Sequence, residues 1–132
     1  MIPPSLDHLV FAVPNLDPGI AHVAERLGVR AIPGGRHAAW GTWNALVSIG
    51  RGAYLEIVAP DPDRADPSPP RALGVNDPRG PFLSTWALRS SDPERDAALL
   101  RAAGVDLGAI SDGRRRRADG SVLTWRLTDP LA

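Results

Sequence analysis

Few side chains in this 132-residue chain can move a proton or hold a cation. There is no cysteine, so thiolate metal sites, thiol nucleophiles and disulfides are excluded. All fifteen basic residues are arginine, which excludes Schiff-base chemistry and a lysine base. Three histidines remain: His8 in LDHLVFAV, His22 in a helical segment, and His37 in the dense stretch GGRHAAWGTWN. His22 falls off the apolar side of its helix and reads as a surface residue. His37 reads equally as a contact for a bound molecule and as an exposed loop residue. Four consecutive arginines, at 114–117, could meet a carboxylate or phosphate. No aromatic residues interleave them, so they read first as a solvated turn. The segment GGRHAAWG lacks the GxxxxGK[ST] form of a phosphate loop, and no serine, histidine and aspartate stand in a context that supports a triad.

The elements that must carry these residues follow an order that occurs twice. Residues 6–13 read as a strand; Asp17 and Pro18 then open a helix, with Asp17 as its cap. Ile20, Val23, Ala24 and Leu27 form its apolar face, and Gly28 stops it. A short strand at 29–32, a Pro33-Gly34-Gly35 turn and a strand at 44–49 follow. A Gly50-Arg51-Gly52 hairpin turn then leads into a strand at 54–59. Residues 60–81 hold seven prolines and four aspartates, a density that reads as a linker. Beyond it come a strand at 82–88 and a helix opening at Ser91-Asp92-Pro93-Glu94, where Ser91 and Glu94 are spaced as a capping box. A strand at 105–110, a polar turn at 112–120 and a strand at 122–127 complete the second copy. The expectation is a single α+β domain over 1–132, built from two βαβββ modules. Module one spans 5–60, the proline-rich linker 61–80, and module two 81–132 without its last strand.

A unit of strand, helix and three strands used twice resembles the vicinal oxygen chelate superfamily, which includes glyoxalase I, extradiol dioxygenases and the fosfomycin and bleomycin resistance proteins. The opening LDHLVFAVPNLDPGIAHVAERLGV is similar to the start of such a module. The stretches GGRHAAWGTWNALVSIGRGAYLEIVAP and GVDLGAISDGRRRRADGSVLTWRLTDP resemble the glyoxalase-like domain subgroup. The resemblance implies that the two modules curl into a cup around a small-molecule site, with a divalent ion held by the first and last strands of each. His8 and Glu56 occupy the matching positions, as metal ligands and catalytic residues. Strand alternation agrees: His8, Val10 and Ala12 share one face, and so do Tyr54, Glu56 and Val58. An imidazole and a carboxylate suit Zn, Mn, Fe or Ni. In module two, Leu83 or Ser84 falls opposite His8 and neither is a usual ligand, so the ligand set is incomplete. A partner chain or His37 completes it, or there is no metal. His37, Trp40, Trp43, Asn44 and Tyr54 are the expected substrate contacts, whereas Thr42 reads as structural. Trp86 and Trp125 are expected to be partly exposed, at an interface.

The resemblance implies an isomerase, lyase or dioxygenase-type enzyme acting on a small oxygenated metabolite, metal-assisted or not. The alternative is a non-catalytic binding protein of the bleomycin-resistance kind. Net charge is zero, which gives no pull toward nucleic acid or membrane. No apolar run approaches the ~20 residues that span a bilayer, and the N-terminus lacks a basic head and apolar signal core. The expected location is the cytoplasm. Arginine in place of lysine, with abundant alanine, proline and glycine, reads as a bacterial, high-GC coding bias. The missing strand leaves an open edge, so a homodimer with exchanged strands is expected, or else a truncated chain.

Overall fold

The computed structural model describes residues 5–64, 73–76, 80–117 and 119–130. The first module runs β1 (Ser5–Ala12), α1 (Leu16–Leu27), β2 (Ile32–His37), β3 (Thr42–Gly50) and β4 (Ala53–Pro60). The second runs β5 (Phe82–Arg89), α2 (Pro93–Ala102), β6 (Ile110–Arg116) and β7 (Val122–Thr128). The fold is α+β, and the element order is the one the repeat implies. Strands β2-β3-β4-β1-β5 form one mixed sheet; β6 and β7 form a separate two-stranded ribbon. β1 is the hinge of the design: it pairs in parallel with β4 and antiparallel with β5, and so joins the two halves.

Side-chain alternation splits the large sheet into two working faces. On one, Leu9, Phe11, Val13, Ala45, Val47, Leu55, Ile57 and Ala59 meet Leu16, Ile20 and Val23 of α1. Ile57 is fully buried there, and burial of such a side chain contributes roughly 1.5–3 kcal/mol. On the other face, Val10, Ala12 and Val58 pack with Leu73, Val75, Trp40 and Phe82. This second face carries His8, Asn44 and Glu56. Most of the proline-rich stretch lies outside the described residues. Within it, Leu73 and Val75 seal the second face, and Asp61 ion-pairs with Arg36.

Several local expectations are corrected. α1 starts one residue before Asp17: Asn15 is its N-cap, without a side-chain cap bond, and Asp17 sits in the first turn. Leu27 is 53% exposed, and Leu16 takes its place in the core. Gly28 does end the helix, in the left-handed region at φ 68°. α2 is capped by Asp92, whose carboxylate accepts from the Arg95 N–H, rather than by a Ser91–Glu94 box. Residues 105–109 are not strand; β6 begins at Ile110.

Two further corrections bear on function. Pro33-Gly34-Gly35 is not a turn but lies within β2, where the pairing with β3 shifts between Pro33 and Gly35. The glycines serve close approach: a Cβ on Gly34 would strike the Asn44 amide oxygen, and one on Gly35 would crowd the Arg115 guanidinium at 3.2 Å. Likewise 112–120 is not one polar turn. Arg114, Arg115 and Arg116 lie on β6, and Arg115 donates to the Gly34 carbonyl at 2.8 Å.

Candidate functional site

Glu56 stands at the centre of the second sheet face, 6% exposed, with its backbone opposite Val10 on β1 and Leu46 on β3. Its diagonal neighbours are His8 and Asn44. The Asn44 Nδ2 donates to Glu56 Oε1 at 2.7 Å, while His8 Nε2 stands 3.6 Å from Oε2. Among the described residues no arginine pairs with Glu56, so the amide of Asn44 is its direct support. With Oε1 engaged by Asn44, Oε2 is the oxygen left to meet a further partner.

Asn44 is held in turn. Its Oδ1 accepts from the Gly35 N–H at 2.9 Å, which fixes the amide and sends Nδ2 toward Glu56 and toward His37 Nε2, 3.4 Å away. His37 Nε2 is therefore the acceptor, and Nδ1–H donates to Thr42 Oγ at 3.1 Å. Burial holds the His37 imidazole below its ordinary value; the charge of Glu56 opposes this and that of Arg115 adds to it. The ring meets Trp40 and Trp125 edge-on, at 5.5 and 6.1 Å. On the other flank, His8 stacks on Tyr54 at 4.7 Å, and its Nδ1 lies 2.8 Å from Asp7 Oδ2. Burial, with the charges of Glu56 and Asp7, pushes the Tyr54 phenol well above its usual value. Burial alone would raise the Asp7 carboxyl, but hydrogen bonds and charges from His8 and Arg89 outweigh it and the net shift is downward. The result is one polar row across four strands: Thr42, His37, Asn44, Glu56, His8 and Asp7.

Of the residues singled out from sequence, His8, Glu56, Asn44, His37, Tyr54 and Trp40 come together on this face. Trp43 does not; it lies on the α1 side, under the Arg36 guanidinium at 5.1 Å. Asn44 has its polar atoms engaged by protein partners. Trp86 is 62% exposed and Trp125 is half-buried against His37, so both are partly exposed as expected. His22 is exposed beside Phe11. A cleft of about 690 Å³ runs along the ribbon, lined by Asp112, Gly113, Arg114, Thr124, Trp125 and Arg126; none of the residues of the row lines it. Asp7 and Arg89 were not singled out from sequence, and Arg115 only within the 114–117 run that reads first as a solvated turn. Asp7 adjoins His8 in the chain, a usable signal; Arg89 is 82 positions from Asp7 and nothing local announces it.

A scan of protein-family models matches residues 6–131 to one family, described as glyoxalase-like domain. The chain belongs to the glyoxalase-like domain family. Solved structures agree on the fold. The methylmalonyl-CoA epimerase of Mycobacterium tuberculosis is 24% identical, with 96% of this chain and 83% of that one covered at a TM-score of 0.57. A variant of the Streptomyces coelicolor methylmalonyl-CoA epimerase, in complex with 2-nitronate-propionyl-CoA, is 23% identical, with 92% and 86% covered at 0.57. A hypothetical protein from Staphylococcus aureus is 17% identical, with 94% covered at 0.68; this chain spans about half of it (51%). No curated protein sequence matches. The family match, together with the shared fold, agrees with the resemblance to the vicinal oxygen chelate superfamily, whose members often use divalent ions.

The donor set fits such an ion only in part. His8 Nε2 and Glu56 Oε2 face each other across 3.6 Å, near the spacing of two neighbouring donors on one ion with bonds of about 2.1 Å. Asp7 on Nδ1 is the kind of partner that orients a ligating imidazole. Among the described residues, however, no group of three histidines or carboxylates gathers there. Two donors fall short of the three of a catalytic site. Among the same residues no helix is long and apolar enough to cross a membrane.

Proposed function

We propose that the second sheet face binds a small oxygenated carbonyl compound and that the protein moves a proton on the carbon beside the carbonyl, as an isomerase does. The observation that carries this reading is Glu56: a carboxylate 6% exposed, with Oε1 fixed by Asn44 and, among the described residues, no donor on Oε2. The buried position and the Asn44 clamp fix Oε2 in direction, as a general base needs in order to meet one particular proton. Glu56 Oε2 takes the proton from the carbon, and the C–H electron pair shifts toward the carbonyl. Where the ligand is an α-hydroxy carbonyl compound, His8 Nε2 takes the hydroxyl proton and delivers it to the former carbonyl oxygen. The intermediate is then an enediolate whose single negative charge has moved to the former hydroxyl oxygen, the missing proton being held by Glu56. Glu56 returns its proton to carbon, so both side chains end as they began. The glyoxalase-like family and the likeness to epimerases support this class of chemistry over the others that the fold hosts.

The test is solvent deuterium incorporation, read by mass spectrometry, over a panel of α-hydroxy ketones, α-hydroxy aldehydes and acyl-CoA thioesters. Exchange at the α-carbon is expected for one of these classes, and Glu56→Gln is expected to lower it by at least ~100-fold, as loss of a general base does. Saturable binding of a panel member with no exchange would overturn the proposal and leave a binding protein.

A further inference from the structure

We propose that Asp7 is the positioning residue for His8, and that Arg89 of the second module positions Asp7 for that task. In a regular strand, neighbouring side chains point to opposite faces, so Asp7 belongs on the α1 side, away from the His8 ring. The pairing of β1 with β5 breaks at this residue: Leu6 is opposite Leu88 and His8 opposite Ala87, leaving Asp7 as the extra residue of a bulge. The bulge turns the carboxylate back along the strand, to 2.8 Å from His8 Nδ1. Arg89 then clamps it, with Nε and Nη2 on Asp7 Oδ1 at 3.0 and 2.8 Å, and the same Nη2 on the Gly52 carbonyl at 2.9 Å. One guanidinium thus ties β5, β1 and the β3–β4 hairpin at the edge of the site.

The chemical consequence is the choice of tautomer. A neutral imidazole has one N–H, and two carboxylates compete for it: Asp7 at Nδ1, 2.8 Å away, and Glu56 at Nε2, 3.6 Å away. A carboxylate can only accept, so the shorter contact makes Nδ1 the donor. Nε2 is left as a bare lone pair facing Glu56. Without Asp7 the proton moves to Nε2 and bonds to Glu56 Oε2, and the two groups that should meet a ligand satisfy each other instead. Stacking on Tyr54 at 4.7 Å holds the ring plane in either case. The hydrogen-bond geometry stands alone; the role in turnover rests on the reading of Glu56 and His8 as the reacting pair.

The experiment is a long-range ¹H–¹⁵N correlation spectrum of the full chain at pH 8, which reports the His8 tautomer directly. Wild type is expected to show Nδ1–H. In Asp7→Asn, Arg89 still demands the oxygen, so the new amide turns its NH₂ to His8 and the ring is expected to switch to Nε2–H. In Asp7→Asn with Arg89→Leu the amide is free to turn over, and Nδ1–H is expected to return. Where a panel substrate exchanges deuterium, Asp7→Asn is expected to lower kcat at least tenfold with KM nearly unchanged. An Nε2–H wild type, or an unchanged tautomer in Asp7→Asn, would overturn the proposal. If Asp7→Asn does not fold, the wild-type spectrum decides. A tautomer switch without exchange activity in wild type upholds the positioning and sinks only the isomerase reading.

Discussion

Replacing Asn44 with aspartate exchanges one NH₂ for an oxygen in nearly the same volume, and the effect on stability can be worked from the geometry. The Gly35 N–H keeps its acceptor, because Oδ1 is retained. The 2.7 Å contact with Glu56 Oε1 becomes oxygen against oxygen. If both carboxylates stay charged, their repulsion at that separation is about 6 kcal/mol at an effective dielectric near 20. Putting one proton between them at pH 7 costs about 4 kcal/mol from an ordinary carboxyl value. The smaller cost wins, so Asn44→Asp folds with a shared proton and is about 4 kcal/mol less stable than wild type at pH 7. That is a large fraction of the 5–15 kcal/mol of a typical domain. The pair binds its proton more tightly folded than unfolded, so the deficit nearly vanishes near pH 4 and grows by about 1.4 kcal/mol per unit as pH rises. Urea unfolding of both proteins at pH 5, 6 and 7 measures this difference directly. A deficit that does not change with pH would refute the placement of Asn44 against Glu56.

Three other outcomes are expected. The His37 imidazole is held below its ordinary value mainly by burial, so the unfolded chain binds more protons as acid is added. Stability is therefore full above the unfolded value of 6.5 and falls below it, by up to about 1.4 kcal/mol per pH unit, and His37→Gln should remove that fall in acid titrations followed by circular dichroism. Any Cβ at Gly113 collides with the Trp125 indole, so Gly113→Ala should displace the ring from His37, shift its fluorescence to the red and cost about 1–3 kcal/mol; an unchanged emission spectrum would contradict the packing. A second copy is the expected cover for β5, which pairs on one side only among the described residues and exposes Leu83 (64%) and Trp86 (62%): light scattering should give twice the chain mass and Trp86→Glu should halve it, whereas a wild-type monomer would refute the expectation.

The order of elements could be read from the chain because periodicity and punctuation agree there: apolar alternation through 6–13 and 54–59, Asp-Pro at both helix starts, and Gly28 at a helix end. The same alternation put His8, Tyr54 and Glu56 on one face. What could not be read depends on contacts made from a distance. Gly34 and Gly35 look like a turn, yet they are strand because the Asn44 amide and the Arg115 guanidinium lie against them. The arginine run looks like solvated punctuation, yet Arg115 ties β6 to β2. Asp7 escapes the alternation rule because a pairing slip with β5 turns it around. Trp43 was placed near the site by its neighbours in sequence, and parity sends it to the other face.

Among the described residues the ribbon of β6 and β7 shares no backbone ladder with the five-stranded sheet; Arg115 on the Gly34 carbonyl, Trp125 on His37 and Arg126 on Glu94 help to hold it. Among the described residues, swinging this ribbon outward would break side-chain contacts but no ladder of the five-stranded sheet. Its amides then exchange with solvent through a small, local opening rather than through global unfolding.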